Sequence, residues 1–170
     1  MFSAQIPQAL IKHADTTPVD IRKNHLLLSK YLAAPCESPQ EKVLVFSYWI
    51  AKNIRYDLKE VKTNKRNKIA REVLENRKAV CGGYSALFAQ LCKNEKIQCY
   101  YITGYAYGHF LKKLFAEKSL AHAWNIVYLN DEWKLIDVTW CIDLVRTSEF
   151  KKNRELKWIF MDPKEFAETH

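Results

Sequence analysis

Val80-Cys81-Gly82-Gly83-Tyr84-Ser85-Ala86-Leu87-Phe88 is the stretch on which the fold turns. From Cys81 to about Lys93 the positions Tyr84, Leu87, Phe88, Leu91 and Cys92 recur at i, i+3, i+4, i+7 and i+8, which predicts one buried helix face. That helix begins at a cysteine followed by two glycines. A thiolate at a helix N-terminus gains from the partial positive charge there, and Gly82 and Gly83 let backbone or substrate approach the sulfur closely. A cysteine on an apolar helix face is more often a small core residue than a nucleophile, so the reading depends on its partners.

Downstream the period changes from 3.6 to 2. Cys99–Tyr107 is rich in aromatic and β-branched residues and predicts a strand. Ala121–Leu129 and Trp133–Trp140 predict two more, joined by a tight turn at Asn130-Asp131. With Leu129 facing Glu132, counting outward sets His122 opposite Thr139. Asp137, two residues from Thr139, then points to the same face as His122. Diagonal neighbours of this kind have Cβ atoms roughly 7–8 Å apart or less, within reach of a carboxylate–imidazole hydrogen bond. Trp124, Ile126, Tyr128, Trp133 and Leu135 complete that face, which is expected to pack on the Cys81 helix. Asp137 in an apolar run is the oddest residue of the set, because a buried carboxylate needs a partner. Together the three residues suggest that Cys81 attacks a carbonyl, His122 shuttles the proton and Asp137 orients the imidazole. The Cys81 backbone N–H, with a second donor, would hold the oxyanion. Cys92, Cys99 and Cys141 read as core or incidental thiols, Trp49, Trp140 and Trp158 as core aromatics, and His13, His25 and His109 as surface residues.

Upstream the pattern is helical. Residues 1–20 form a polar leader, and 21–34 predict a helix ending before Pro35. Ser38-Pro39 with Glu41 resembles a capping box, opening a helix whose Val43, Val45, Phe46, Trp49, Ile50 and Ile54 make one broad buried face closed by Tyr56-Asp57. Residues 65–76 predict a further helix with Ile69, Val73 and Leu74 inward. Residues 109–119 form a connection, 141–157 read as loop, and Trp158–Met161 is a last aromatic stretch before Asp162-Pro163. Helices first and an antiparallel sheet second make an α+β domain, divided into a leader and helix over 1–37 and a core over 38–170.

Composition bounds the alternatives. The chain has 170 residues, 48% of them hydrophobic, which is enough to bury a core without staples. Its formal charge of +8 concentrates in Lys59–Lys78, where a solvated face is the plain reading and an acidic partner the sharper one. No nucleic-acid-binding motif accompanies those charges, and no nucleic acid is expected. Five cysteines without a Cys-x-x-Cys pair argue against a disulfide framework or a structural zinc site. No metal and no cofactor are expected. There is no apolar run long enough to span a membrane and no signal-peptide pattern, which fits a cytoplasmic protein or a secreted one whose signal has been removed.

Val80–Phe88, Ile102–Gly108, His122-Ala123-Trp124-Asn125 and Trp133–Trp140 resemble, in order, the core motifs of the transglutaminase-like superfamily. Tyr48–Asp57 and Phe160–His170 are similar to segments of its kyphoscoliosis-peptidase and cytokinesis-protein branch. The resemblance covers roughly residues 40–170. It implies a papain-like fold, with N-terminal helices packed on an antiparallel sheet and a triad that falls on Cys81, His122 and Asp137. It also implies acyl transfer on amide bonds of a protein or peptide substrate, as peptidase, deamidase or transglutaminase, without a cofactor. By analogy an aromatic side chain assists the oxyanion hole, for which Trp49 and Tyr56 are candidates, while Gly82 and Trp124 border the cleft. Val80 and Gly82 stand where crosslinking members carry Gln and Trp, so hydrolysis is the expected outcome. Cys141-Ile142-Asp143-Leu144 replaces the family's small Gly-rich turn, and the chain reads as one domain of a longer protein. The alternative is a catalytically inactive transglutaminase-like module that binds a protein partner.

Overall fold

Helix α3 (Pro39–Asn53) starts where the capping signal sets it. The Ser38 hydroxyl accepts the Glu41 backbone N–H at 3.2 Å, and Pro39 occupies the first turn, where a missing N–H costs little. Glu41 reaches back to the Glu37 N–H at 2.7 Å, one residue earlier than a strict capping box. The helix ends at Asn53 rather than at Tyr56-Asp57, because Ile54 turns extended and Tyr56 joins a strand. Every residue from Val43 to Ala51 is buried, so α3 is a central helix rather than one with a single apolar face. The computed structural model describes residues 4–63, 69–107, 119–145, 151–152, 154 and 156–170.

Around α3 lie α1 (Gln8–Asp15) and α2 (His25–Ala33), and the leader is bonded to the core. Trp49 donates its indole N–H to Thr17 Oγ1 at 3.0 Å, and Ile6 is fully buried with its N–H on Arg154 O at 2.8 Å. His13 is half-buried rather than on the surface, stacked on Tyr31 with centroids 4.2 Å apart. A parallel pair that the sequence reading lacked, β1 (Arg55–Tyr56) and β2 (Lys78–Ala79), aligns Tyr56 with Ala79. Between them run α4 (Leu58–Thr63) and α5 (Ala70–Asn76). Ile69 is 60% exposed at the start of α5, and Ala70 takes the inward place expected of it. Residues 64–68 of the basic stretch and residues 108–118, which hold His109 and most of the expected connection, lie outside the described residues.

The sheet is an antiparallel meander of β3 (Cys99–Tyr107), β4 (Ser119–Leu129), β5 (Glu132–Ile136) and β6 (Ile159–Met161). Asn130 and Asp131 both take positive φ, 50° and 61°, the mirror-image turn that matches strand twist. Leu129 pairs with Glu132, as the turn dictates, and the β4–β5 ladder runs to Asn125 opposite Ile136. There it stops. His122 therefore has no strand partner at Thr139, because the chain leaves β4 at Asp137, whose N–H bonds Trp158 O at 2.9 Å.

Helix α6 (Cys81–Asn94) packs on the sheet, but not on the expected face. Ala123, Asn125, Val127 and Leu129 are the buried set, and Asn125 donates to Ser85 O on α6 at 3.1 Å. The opposite face, with Trp124, Ile126, Tyr128 and Trp133, is covered only in part, and Tyr128 and Trp133 are exposed. Small Ala123 and hydrogen-bonded Asn125 let the helix sit close, while a row of aromatics is too bulky for that contact. The short helices α7 (Cys141–Leu144) and α8 (Pro163–Ala167) close the far end, the second capped by Asp162, which accepts the Lys164 N–H at 2.8 Å.

Gly104 on β3 lies opposite His122, and the Trp124 ring crosses directly over it. A Cβ built there would stand 2.5 Å from Trp124 Cη2. A strand Gly→Ala change ordinarily stabilises by about 0.5–1 kcal/mol. Gly104→Ala is expected instead to destabilise by about 1–3 kcal/mol through overpacking, read as a lower urea midpoint with altered tryptophan fluorescence.

Candidate active site

Cys81 is the first residue of α6, half-exposed, and preceded by Val80 in an extended conformation. Valine offers no side-chain cap, so the first-turn N–H groups are not spent on one. The segment entering this corner is held by β2, whose Ala79 pairs with Tyr56. Gly82 is buried in the first turn beside the sulfur.

His122, 8% exposed on β4, meets Asp137, which has no exposed surface. His122 Nε2 and Asp137 Oδ2 are 2.7 Å apart. With Nε2 committed to the carboxylate, Nδ1 is the ring nitrogen left for another partner. Burial pulls the His122 pKa down, but Asp137 and then Cys81 outweigh it and push it up to about 10. Burial would raise Asp137, yet the His122 charge and hydrogen bonds from His122 and His170 bring it down to about 2.

Three residues at the site were not assigned to it from the sequence. His170 places Nε2 3.0 Å from Asp137 Oδ2. The Trp140 backbone N–H donates to Asp137 Oδ1 at 3.2 Å, and its ring lies 5.6 Å from that of His122. Trp158 stands edge-on to Trp140, with centroids 4.5 Å apart. The sequence held one usable signal: Asp162-Pro163 is a helix start, and Phe166 and His170 are four residues apart beyond it. The Trp124 ring lies 6.2 Å from that of His122. Tyr56 is half-buried and stacks at 6.3 Å on Tyr84. Trp49 does not reach the site, because it is fully buried, with Thr17 on its N–H and the Arg77 guanidinium over its ring. Cys92 and Cys141 are buried core thiols, and burial pushes the Cys36 thiol up to about 12.

His122, Asp137 and His170 have donor atoms within 4.8 Å of one another, a spacing a metal ion could use. Two hydrogen bonds onto one carboxylate oxygen already account for it.

A family model described as the transglutaminase-like superfamily matches residues 28–138. The chain belongs to the transglutaminase-like superfamily. It is 30% identical to mouse kyphoscoliosis peptidase over 141 residues and 32% identical to the human protein over 135 residues. These alignments cover 81% and 76% of the chain but only 21% and 20% of the two peptidases, so the chain spans about a fifth of their length. Among solved structures, a candidate cysteine protease from Cytophaga hutchinsonii superposes with a TM-score of 0.54 at 23% identity, over 79% of this chain and 43% of that one. The periplasmic domain of TgpA from Pseudomonas aeruginosa, bound to ethylmercury, gives 0.53 at 18% identity, over 83% and 52%. These likenesses show the family's papain-like α+β fold.

The shifts fix a pH window. The raised His122 pKa contributes stability that is complete below the unfolded value of about 6.5 and is lost as pH rises toward about 10. The lowered Asp137 pKa contributes stability that is complete above about 3.9 and is lost as pH falls toward about 2. The pair should therefore stabilise most fully between about pH 4 and 6.5. Asp137→Asn is expected to lose about 3–5 kcal/mol there, measured as denaturant midpoints across pH, and to flatten the acid limb.

Proposed function

We propose that this chain is a cysteine-dependent acyl-transfer enzyme that hydrolyses amide bonds of proteins or peptides. The observation that carries this reading is the buried His122–Asp137 pair, whose imidazole pKa is raised in part by Cys81. In this mechanism the Cys81 proton already rests on His122, whose raised pKa favours it there; Sγ attacks the substrate carbonyl carbon, and first-turn N–H groups of α6 receive the charge developing on oxygen. The C–N bond breaks, His122 returns the proton to the departing amine, and an acyl thioester remains. Water, deprotonated by His122, then attacks the thioester, releasing the acid and restoring the thiol. Asp137 keeps the ring aimed throughout. Hydrolysis is favoured over crosslinking because Val80 and Gly82 flank the nucleophile where Gln and Trp would stand. Residues 38–170 carry the core in this reading, with 1–37 braced against it.

The competing role is a non-catalytic interaction module. Its support is the outer sheet face, where exposed Tyr100, Tyr128 and Trp133 cluster with ring centroids 5.4 and 5.0 Å apart. The acidic partner expected at Lys59–Lys78 has less support, since Lys78 pairs with Asp57, Arg71 with Glu75, and Arg77 bonds Asn53.

Alkylation separates the two readings. An electrophilic peptide probe is expected to label Cys81 at neutral pH and to slow at least about a hundredfold in His122→Ala. Mass spectrometry of the labelled peptide locates the site, and Cys81→Ala should abolish both labelling and turnover in a peptide-library screen. Equal rates in the wild-type chain and His122→Ala would remove the enzymatic reading.

A further inference from the structure

Asp137 Oδ2 accepts from two imidazoles, and the enzymatic reading uses only one of them. His170 is not a passing surface contact. Its side chain is 1% exposed, stacked on Phe166 with centroids 3.8 Å apart and flanked by Trp140 at 4.4 Å and Trp124 at 5.2 Å. Its own ring centroid is 5.4 Å from that of His122. The groups facing Asp137 come from every element around it. They are His122 from β4, His170 after α8, the Trp140 N–H, and the Cys141 thiol of α7, which lies 3.4 Å from Asp137 O.

The tautomer of His170 follows from counting hydrogen bonds. Thr169 Oγ1 lies 3.0 Å from His170 Nδ1 and 3.1 Å from Phe166 O. That carbonyl already accepts the backbone N–H groups of Thr169 at 3.1 Å and His170 at 3.0 Å, which occupy its two lone pairs. The threonine proton is therefore best used on His170 Nδ1. A ring that accepts at Nδ1 carries its proton at Nε2, and Nε2–H is what Asp137 needs.

We propose that His170 is a positioning residue. Through its Nε2–H, set by the Thr169 hydroxyl, it fixes the Asp137 carboxylate in the plane and protonation state that hold His122 toward Cys81. This rests on the enzymatic reading for its purpose, but not for its geometry. His170 touches no reacting atom and acts only through Asp137. The aromatic cage of Phe166, Trp140 and Trp124 fixes its ring.

The test uses the full chain, isotopically labelled, with His170→Phe, His170→Gln and Thr169→Val. Phenylalanine fills the cage without a donor, while glutamine returns an N–H near the Nε2 position. In His170→Phe the Asp137 carboxyl should titrate at higher pH by 13C NMR, because a donor to its charged form is gone. The His122 Nε2–H signal should broaden, and the alkylation rate of Cys81 at pH 6 should fall about tenfold. His170→Gln should restore all three toward wild type, and Thr169→Val should lie between. A folded His170→Phe chain with unchanged Asp137 titration and His122 signal would overturn the proposal, as would a loss in His170→Phe that His170→Gln does not repair. A wild-type chain in which added zinc shifts both imidazoles together would replace positioning with metal ligation. If Cys81 alkylation proves indifferent to His122→Ala, the enzymatic reading falls, yet the NMR arm still decides the role of His170.

Discussion

A carboxylate with no exposed surface has to be surrounded by donors, and Asp137 is the point around which this molecule is arranged. Its two oxygens receive a strand imidazole, a second imidazole from beyond α8 and a backbone N–H from the turn that follows. Each donor requires a piece of architecture. The β4–β5 ladder has to end at Ile136 so that the carboxylate can swing in front of His122. The chain has to bend at Trp140 to bring an N–H back, and β6 with α8 has to return Phe166 and His170 over the sheet. The aromatic rings of Trp124, Trp140 and Trp158 pack around the two imidazoles.

Much of this was legible in the sequence, though not always for the right reason. The Asn130-Asp131 turn fixed the register, and the observed pairing of Leu129 with Glu132 follows from it. The meeting of His122 and Asp137 was correct, but the flat-sheet diagonal that suggested it does not exist, since the ladder ends before either residue. The packing face was inverted. Both alternating sets of β4 contain apolar residues, and periodicity cannot say which one a helix chooses. Here size decided: Ala123 and a bonded Asn125 admit α6, whereas Trp124 and Tyr128 hold it off. Trp49 stands in the core, as its spacing predicts, and the analogy that offered it to the oxyanion hole could not separate an indole N–H facing a substrate from one facing Thr17.

His170 was illegible in a different way. It lies 33 positions from Asp137, and no local pattern announces the contact. Four-residue spacing from Phe166 predicts a shared helix face, not what that face covers. Long-range hydrogen bonds of this sort are set by how elements close on one another, which sequence periodicity does not encode.

Charge balance links the carboxylate to the corner where Cys81 stands. With Asp137 ionised and His122 protonated, the buried pair is neutral. A thiolate formed at Cys81 would add one negative charge to this group. The fold has a place for that charge at the start of α6, where the Val80 side chain offers no cap, its carbonyl takes only the Gly83 and Tyr84 N–H groups, and the helix dipole is positive. Under the proposed mechanism the same turn would receive a developing oxyanion, so thiolate and transition state would draw on one set of donors at successive moments. A polar cap at position 80 would satisfy those donors permanently and blunt both effects.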